Sequence, residues 1–288
     1  FRVPELELIG GRDDLNTEVR QGGVVFRLNY GKVYWNSRLE TEHRTLVESF
    51  AAHDEVWDVF CGVGPFALPA ALKGCNVHAN DLNPDSVHFL KENLEINCKT
   101  RARRSAAKSY RNRKLTEQTG QNAVEDGDTS AAEAGQKRNG PHNQNGNGAS
   151  NGVRCECYNL DARDFIRQRI VAFQAGPADN SHVTIHVIMN LPASSPAFLD
   201  AFRGCLDAKF WAGKPMPQVH LYAFSKADDA VGEILGRAEE ALGSAIPRDS
   251  VSSREVRLVA PGKLMMCLTF PLPRDILGKT ENDGEGHE

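Results

Sequence analysis

Cys61-Gly62-Val63-Gly64-Pro65 closes a short apolar run, Val56-Trp57-Asp58-Val59-Phe60, in which one acid interrupts what reads as a buried strand. Small residues at that point let the backbone turn sharply and approach a ligand closely. Phe66 to Leu72 then reads as a short helix, with Pro65 near its first turn, where a missing N–H is harmless. A second strand, Val77 to Asn80, ends at Asp81. Strand, glycine turn, helix, strand and terminal acid form the first half of a nucleotide-binding α/β unit, with Asp81 placed to bond ribose hydroxyls. Two more polar positions follow later strands: Asp161 after Val153 to Tyr158, and Asn190 after Val183 to Met189. Ligands of open α/β sheets bind beyond the carboxyl ends of the strands. Cys61, Gly62, Gly64, Asp81 and Asp161 therefore group as a nucleoside site, in which the Asp161 carboxylate can accept from an adenine amino group, and Asp58, inside the strand, is counted with the cofactor-binding residues.

The elements that must position these groups follow from spacing. Leu6 to Ile9, Val24 to Leu28 and Lys32 to Trp35 read as strands, so residues 1–36 are expected to be the C-terminal part of a small β-rich domain. Leu39, Leu46, Val47 and Phe50 recur at helical spacing and should face the core, with Glu42 off that face and His43 and Arg44 beside it. Asn83 or Asp85 can cap a helix from about Ser86 to Asn97. Phe165, Ile166 and Ile170 mark another helix, the run Phe198 to Phe202 follows Pro196, and Asp228 to Leu242 reads as a helix. Val219 to Phe224, Glu255 to Val259 and Leu264 to Phe270 complete seven strands, the last two suited to an antiparallel edge. Residues 37–98 and 153–272 thus form the main domain. The span 99–152 lacks apolar periodicity and is expected to be a disordered insertion, with 273–288 a flexible acidic tail.

Composition narrows the function classes. The formal net charge of the 288 residues is −4. The insertion holds ten Lys/Arg against five Asp/Glu, leaving 24 basic and 33 acidic residues elsewhere. That is not the basic footprint of a general nucleic-acid binder. No apolar run approaches the roughly 18 residues a membrane span needs. Seven scattered cysteines suit a reduced intracellular compartment better than a disulfide framework. Cys155 and Cys157 are too close in sequence for the usual zinc spacing, so no metal is expected. The chain begins with Phe1 rather than Met, which reads as a fragment or a processed form.

The run D-x-F-C-G-x-G-P-F (58–66) followed by D-L-N-P (81–84) resembles class I S-adenosylmethionine (SAM) methyltransferases, which have one adenosine to hold and no pyrophosphate. Asn190-Leu191-Pro192-Ala193 stands where such enzymes meet the methyl acceptor, and it lacks the aromatic fourth residue of the N6-adenine and glutamine enzymes. Together with K-V-Y-W-N-S-R-L-E-T-E-H-R (32–44) and H-V-I-M-N-L-P-A (186–193), the chain resembles the eukaryotic and archaeal tRNA (guanine-N1)-methyltransferases, which modify guanosine 37 beside the anticodon. The resemblance implies an α/β fold with a Rossmann-like seven-stranded sheet preceded by part of the small β-rich domain. It implies SAM as methyl donor without a metal, the tRNA anticodon loop as partner and a monomer. It also implies a place in the cytoplasm, with the mitochondrial matrix and nucleus as alternatives.

By that resemblance Glu42 is the general base, Arg2 stabilises charge on guanine O6, and Asn190 joins them in the catalytic group. Tyr34, Arg38 and Pro192 match positions that hold the target nucleoside or shape its pocket. His43, Asp81, Leu82, Asp161, Ala162 and Asn190 match SAM-contacting positions. Three readings stay open beside it: the related aminocarboxypropyl transferase of wybutosine synthesis, an inactive RNA- or SAM-binding module, and a protein or small-molecule methyltransferase.

Overall fold

Gly22 and Gly23 take positive φ (54° and 79°) and close a tight two-residue hairpin between β1 (Asn16–Gln21) and β2 (Val24–Asn29). The computed structural model describes residues 3–120, 152–176 and 183–278. The partner of β2 is the polar run NTEVRQ, and the expected strand Lys32 to Trp35 is instead a turn and an extended linker. Leu6 to Ile9 form no strand, and Ile9 is 95% exposed. Alternation there lacks both a pairing strand and a surface to cover, so tertiary context overrides it.

After a single 3-10 turn, α1 (Glu40–Glu48) leads into β3 (Glu55–Asp58), α2 (Ala67–Lys73) and β4 (Asn76–Asn80). Next comes α3 (Pro84–Gly120), begun by Asn83, whose Oδ1 accepts from the Asp85 amide at 3.0 Å. The helix runs far past the expected end at Asn97, so residues 99–120 are helical rather than part of a disordered insertion. Its lysines, arginines and alanines are good helix formers, and low apolar periodicity alone does not end a helix. Residues 121–151 lie outside the described residues. β5 (Arg154–Tyr158), α4 (Ala162–Gln174), β6 (Ile185–Met189), a 3-10 segment (Ser195–Phe202), α5 (Ala208–Trp211), β7 (Gln218–Ser225), α6 (Ala230–Leu242), β8 (Ser252–Ala260) and β9 (Lys263–Pro271) complete the order. The expected tail begins too early at 273: Arg274–Ile276 form a turn with Ile276 buried, while 279–288 lie outside the described residues.

The seven-stranded sheet has the order β5-β4-β3-β6-β7-β9-β8, parallel except for β9, which runs against both β7 and β8. The chain builds outward from β3 through β4 to β5, then returns to place β6 on the other side of β3. That reversal opens a crevice between the ends of β3 and β6. One core cluster joins Phe165, Ile170, Phe202, Trp211 and Leu235; another joins Phe26, Leu46, Phe66, Leu68 and Leu90.

The hairpin is held to the main domain by a helix acting as a strand's neighbour. Asn93 Oδ1 accepts from the Arg27 amide (2.7 Å) and its Nδ2 donates to the Arg27 carbonyl (3.0 Å). One turn on, Asn97 does the same for Val25, at 3.0 and 2.8 Å. Spacing of four residues on α3 matches spacing of two on β2, because both repeats are about 6 Å.

Candidate active site

The turn after β3 is built by backbone bonds that converge on one acid. The Gly62 amide donates to Asp81 Oδ2 and the Asn83 amide to Asp81 Oδ1, each at 2.8 Å, while the Cys61 amide bonds the Asn80 carbonyl at 2.8 Å. Burial raises the Asp81 carboxyl above its usual range, opposed by those two amides. Asn80, which sequence reasoning passed over, is fully buried and stitches three strand ends. Its Nδ2 donates to the carbonyls of Val59 (3.2 Å) and Leu160 (3.1 Å), and its Oδ1 accepts from the Leu160 amide (2.9 Å). Only the N-D pair at a strand end could have signalled it.

Asp161 caps α4 through the Arg163 amide at 2.9 Å. Beyond β6, Ser195 Oγ accepts from the Leu191 amide (2.8 Å) and donates to the Met189 carbonyl (2.9 Å), and the Phe224 amide bonds the Pro192 carbonyl (2.9 Å). The Asn190–Pro192 loop is thus fixed on both sides. Asn190 Oδ1, however, is buried and has no hydrogen-bond partner.

These loops enclose a cavity of about 520 Å³. Tyr34, His43, Cys61, Gly62, Asp81, Leu82, Asp161, Ala162, Asn190 and Pro192, all expected at the site, line it together. Burial pushes His43 down to about 4, so it is a neutral imidazole in the wall, edge-on to Phe66. Phe224, Arg257 and Met265, from the antiparallel edge, also line it and were not anticipated.

The structure places the other expected residues elsewhere. Arg2 lies outside the described residues, and Arg38 is exposed on the 3-10 turn before α1. Glu42 is on the buried face of α1 with His43, Leu46 and Val47, not off it, and does not line the cavity. Its carboxylate accepts from the Tyr222 hydroxyl (2.6 Å) and from Arg254, whose Nε reaches Oε2 at 3.0 Å and whose Nη2 also bonds Oε1. An acid can join an apolar face when such partners replace water, which helical spacing alone does not reveal. Gly64 also misses the wall. It has φ +97°, and a Cβ there would meet Leu90 Cδ1 at 2.6 Å and Leu68 Cγ at 2.9 Å, so its smallness serves helix packing rather than a ligand. Gly62, at φ +53°, has open space where its Cβ would be.

Asp58 is fully buried behind the turn, and neither carboxyl oxygen has a hydrogen-bond partner. Burial, then the Asp81 charge, push it up to about 8; the amides of Phe60 and Ala67 lie near but offset this only in part. Between the usual 3.8 and about 8, the folded chain holds a proton that the unfolded chain has released, so stability falls as pH rises through that window. Burial gives His220, pushed down to about 3, and His43 the opposite slope: below their usual 6.5, stability falls with falling pH. Asp58→Asn is therefore expected to raise Tm by a few degrees at pH 8 and by almost nothing at pH 4. Parallel melting curves for variant and parent across that range would contradict it.

Comparison with known proteins places this geometry. Residues 17–119 match the family described as the TRM5/TYW2 methyltransferase domain. That span takes in the hairpin, the glycine turn and the Asp81 loop. A tRNA (guanine(37)-N(1))-methyltransferase of Phytophthora infestans is 36% identical over 98% of this chain and 53% of its own length. The Danio rerio enzyme of the same name is 37% identical over 97% of the chain and 47% of its own. The chain thus spans about half the length of the curated relatives it matches. Among solved structures, the M. jannaschii tRNA m1G37 methyltransferase superposes with a TM-score of 0.55 at 20% identity, over 94% of this chain and 61% of that one. M. jannaschii TYW2 in complex with AdoMet gives 0.53 at 15% identity, over 92% and 88%. The fold is the class I SAM methyltransferase fold, as the sequence led one to expect.

Proposed function

We propose that the chain transfers the methyl group of SAM to N1 of guanosine 37 in tRNA. One observation carries this reading: a single cavity joins the nucleoside end, with Gly62, Asp81 and Asp161, to the Asn190–Pro192 loop, where Asn190 Oδ1 awaits a donor. Relatives named for that activity support it. The residues fit the donor. Gly62 leaves open space beside the Asp81 loop, and the volume of about 520 Å³ is within the range of small-molecule sites.

Bound SAM supplies a sulfonium-activated methyl group, and the carbon–sulfur electron pair stays with sulfur as a neutral thioether. The protein must supply the rest. Guanine N1 carries a proton near neutral pH, and its lone pair is tied into the ring amide. Attack therefore needs a base at N1 and stabilisation of negative charge growing on O6. Asn190 Oδ1 accepts from the guanine edge and orients it, while Tyr34 and Pro192 bound the nucleoside. Glu42 takes the N1 proton. To do so, the Glu42 side chain swings out from behind the cavity wall and gives up its bonds to Tyr222 and Arg254. Arg2 and Arg38 are assigned to the acceptor side as well.

Glu42→Gln is expected to leave SAM affinity nearly intact and to slow methyl transfer at least about tenfold, as loss of a general base does. Single-turnover assays at saturating tRNA and SAM measure it; an unchanged rate would remove Glu42 from the mechanism. Mass spectrometry of the product tRNA separates transfer of a methyl group from transfer of an aminocarboxypropyl group.

A further inference from the structure

We infer that Arg257 reads the acceptor guanine, donating both arms of its guanidinium to O6 and N7. The inference rests on the reading of the cavity given above and adds to it the residue that selects guanine.

The backbone itself is distorted to bring this side chain inward. β8 pairs with β9 regularly up to Glu255 opposite Met266, but the next pair is Arg257 with Met265, leaving Val256 as an extra residue. A bulge of this kind re-aims the side chains that follow, because strand faces alternate with a period of two. Without it, Leu258 would share the inner face with Val256 and Arg257 would point outward. Instead Leu258 is 57% exposed and Arg257 is half-buried in the cavity wall. An apolar residue is given up to water so that an arginine can enter a pocket, the reverse of what core formation alone selects.

The position of Arg257 points to the acceptor. The cavity runs along the strand ends, with Asp161 and Asp81 beyond β5 and β4 and Arg257 at the far edge, beside Phe224 and Met265. Among the lining residues Arg257 is the sole Lys or Arg. Among the described residues its guanidinium has no ion-pair or hydrogen-bond partner. Walls of Phe224, Val259 and Met265 suit a flat base better than a hydrated phosphodiester. Guanine presents two acceptors, O6 and N7, to a forked donor, whereas adenine presents a donor amino group at the corresponding place. The same contact opposes the negative charge that grows on O6 as N1 attacks.

The test uses synthetic anticodon stem-loops carrying guanosine or 7-deazaguanosine at position 37, with single-turnover methyl transfer by the 288-residue chain and its variants. The parent chain should be about tenfold or more slower on the 7-deaza substrate, which lacks one of the two acceptors. Arg257→Met should be slow on guanosine but show no further loss on 7-deazaguanosine. Arg257→Lys keeps the charge without the fork and should also lose the discrimination. Melting temperature and SAM affinity should match those of the parent. Variants that keep the parental ratio would place Arg257 on a phosphate or elsewhere and overturn the inference. So would an unchanged rate accompanied by aggregation, which would make the inward arginine a guard of the β8 edge. Absence of transfer by the parent chain on guanosine would overturn the underlying reading first, and that arm shows it alone.

Discussion

Gly64→Ala is expected to destabilise the chain by roughly 2–6 kcal/mol, the sum of a strained positive φ (about 1–3 kcal/mol) and overpacking (about 1–3 kcal/mol). The new methyl would meet Leu90 Cδ1 at 2.6 Å and Leu68 Cγ at 2.9 Å, both in side chains that are themselves fully buried and cannot retreat. Relief would have to come from the backbone. The Gly64 amide bonds the Cys61 carbonyl at 2.9 Å, so the shift would pass into the turn that presents Gly62 to Asp81. Urea melts should report the loss, and calorimetric titration with SAM should show weakened binding even where the variant is folded. Gly62→Ala is the informative contrast. It meets nothing within 4 Å and enters the cavity, so it should weaken SAM binding with a smaller cost in stability. Equal stability losses at the two glycines would show that their roles are not separate.

Asn97→Leu is expected to cost roughly 2–4 kcal/mol, because it leaves the buried amide and carbonyl of Val25 without partners at once. Asn97→Asp should be little better. It can still accept from the amide but sets a carboxylate oxygen against the Val25 carbonyl. Hydrogen exchange gives the direct reading: the Val25 amide should lose protection in both variants while the amides of β3 and β6 keep theirs until global unfolding. Retained protection at Val25 would mean that the amide finds another acceptor.

Much of the fold was legible because buried parallel strands announce themselves. VTIHVIM and VHLYAF are mostly apolar runs ended by polar residues, and each became a central strand within two residues of its expected bounds. β1 was illegible for the opposite reason. NTEVRQ is an edge strand, mostly solvated, and carries no apolar signal. The gathering of Gly62, Asp81 and Asp161 around one cavity was legible, because local spacing ties them to strand ends. The far end of the cavity was less so. Arg257 reaches the cavity through a bulge, and a register shift leaves no mark in an alternating pattern read without its partner strand. Glu42 was recognised as chemistry but misplaced on its helix, since Tyr222 and Arg254 lie some 180 and 212 residues away in sequence.

Asn83 touches both halves of the molecule. Its amide holds Asp81 Oδ1, and its Nδ2 donates to the Lys32 carbonyl at 2.8 Å, just beyond the hairpin. The hairpin and the loop that carries Asp81 are therefore not independent bodies. Asn83 joins them directly, beside the ties that Asn93 and Asn97 make farther along the helix. If a macromolecule that grips residues 16–36 shifts the affinity of whatever occupies the Asp81 loop, that occupant shifts its grip by the same factor, since coupling between two binding events is reciprocal.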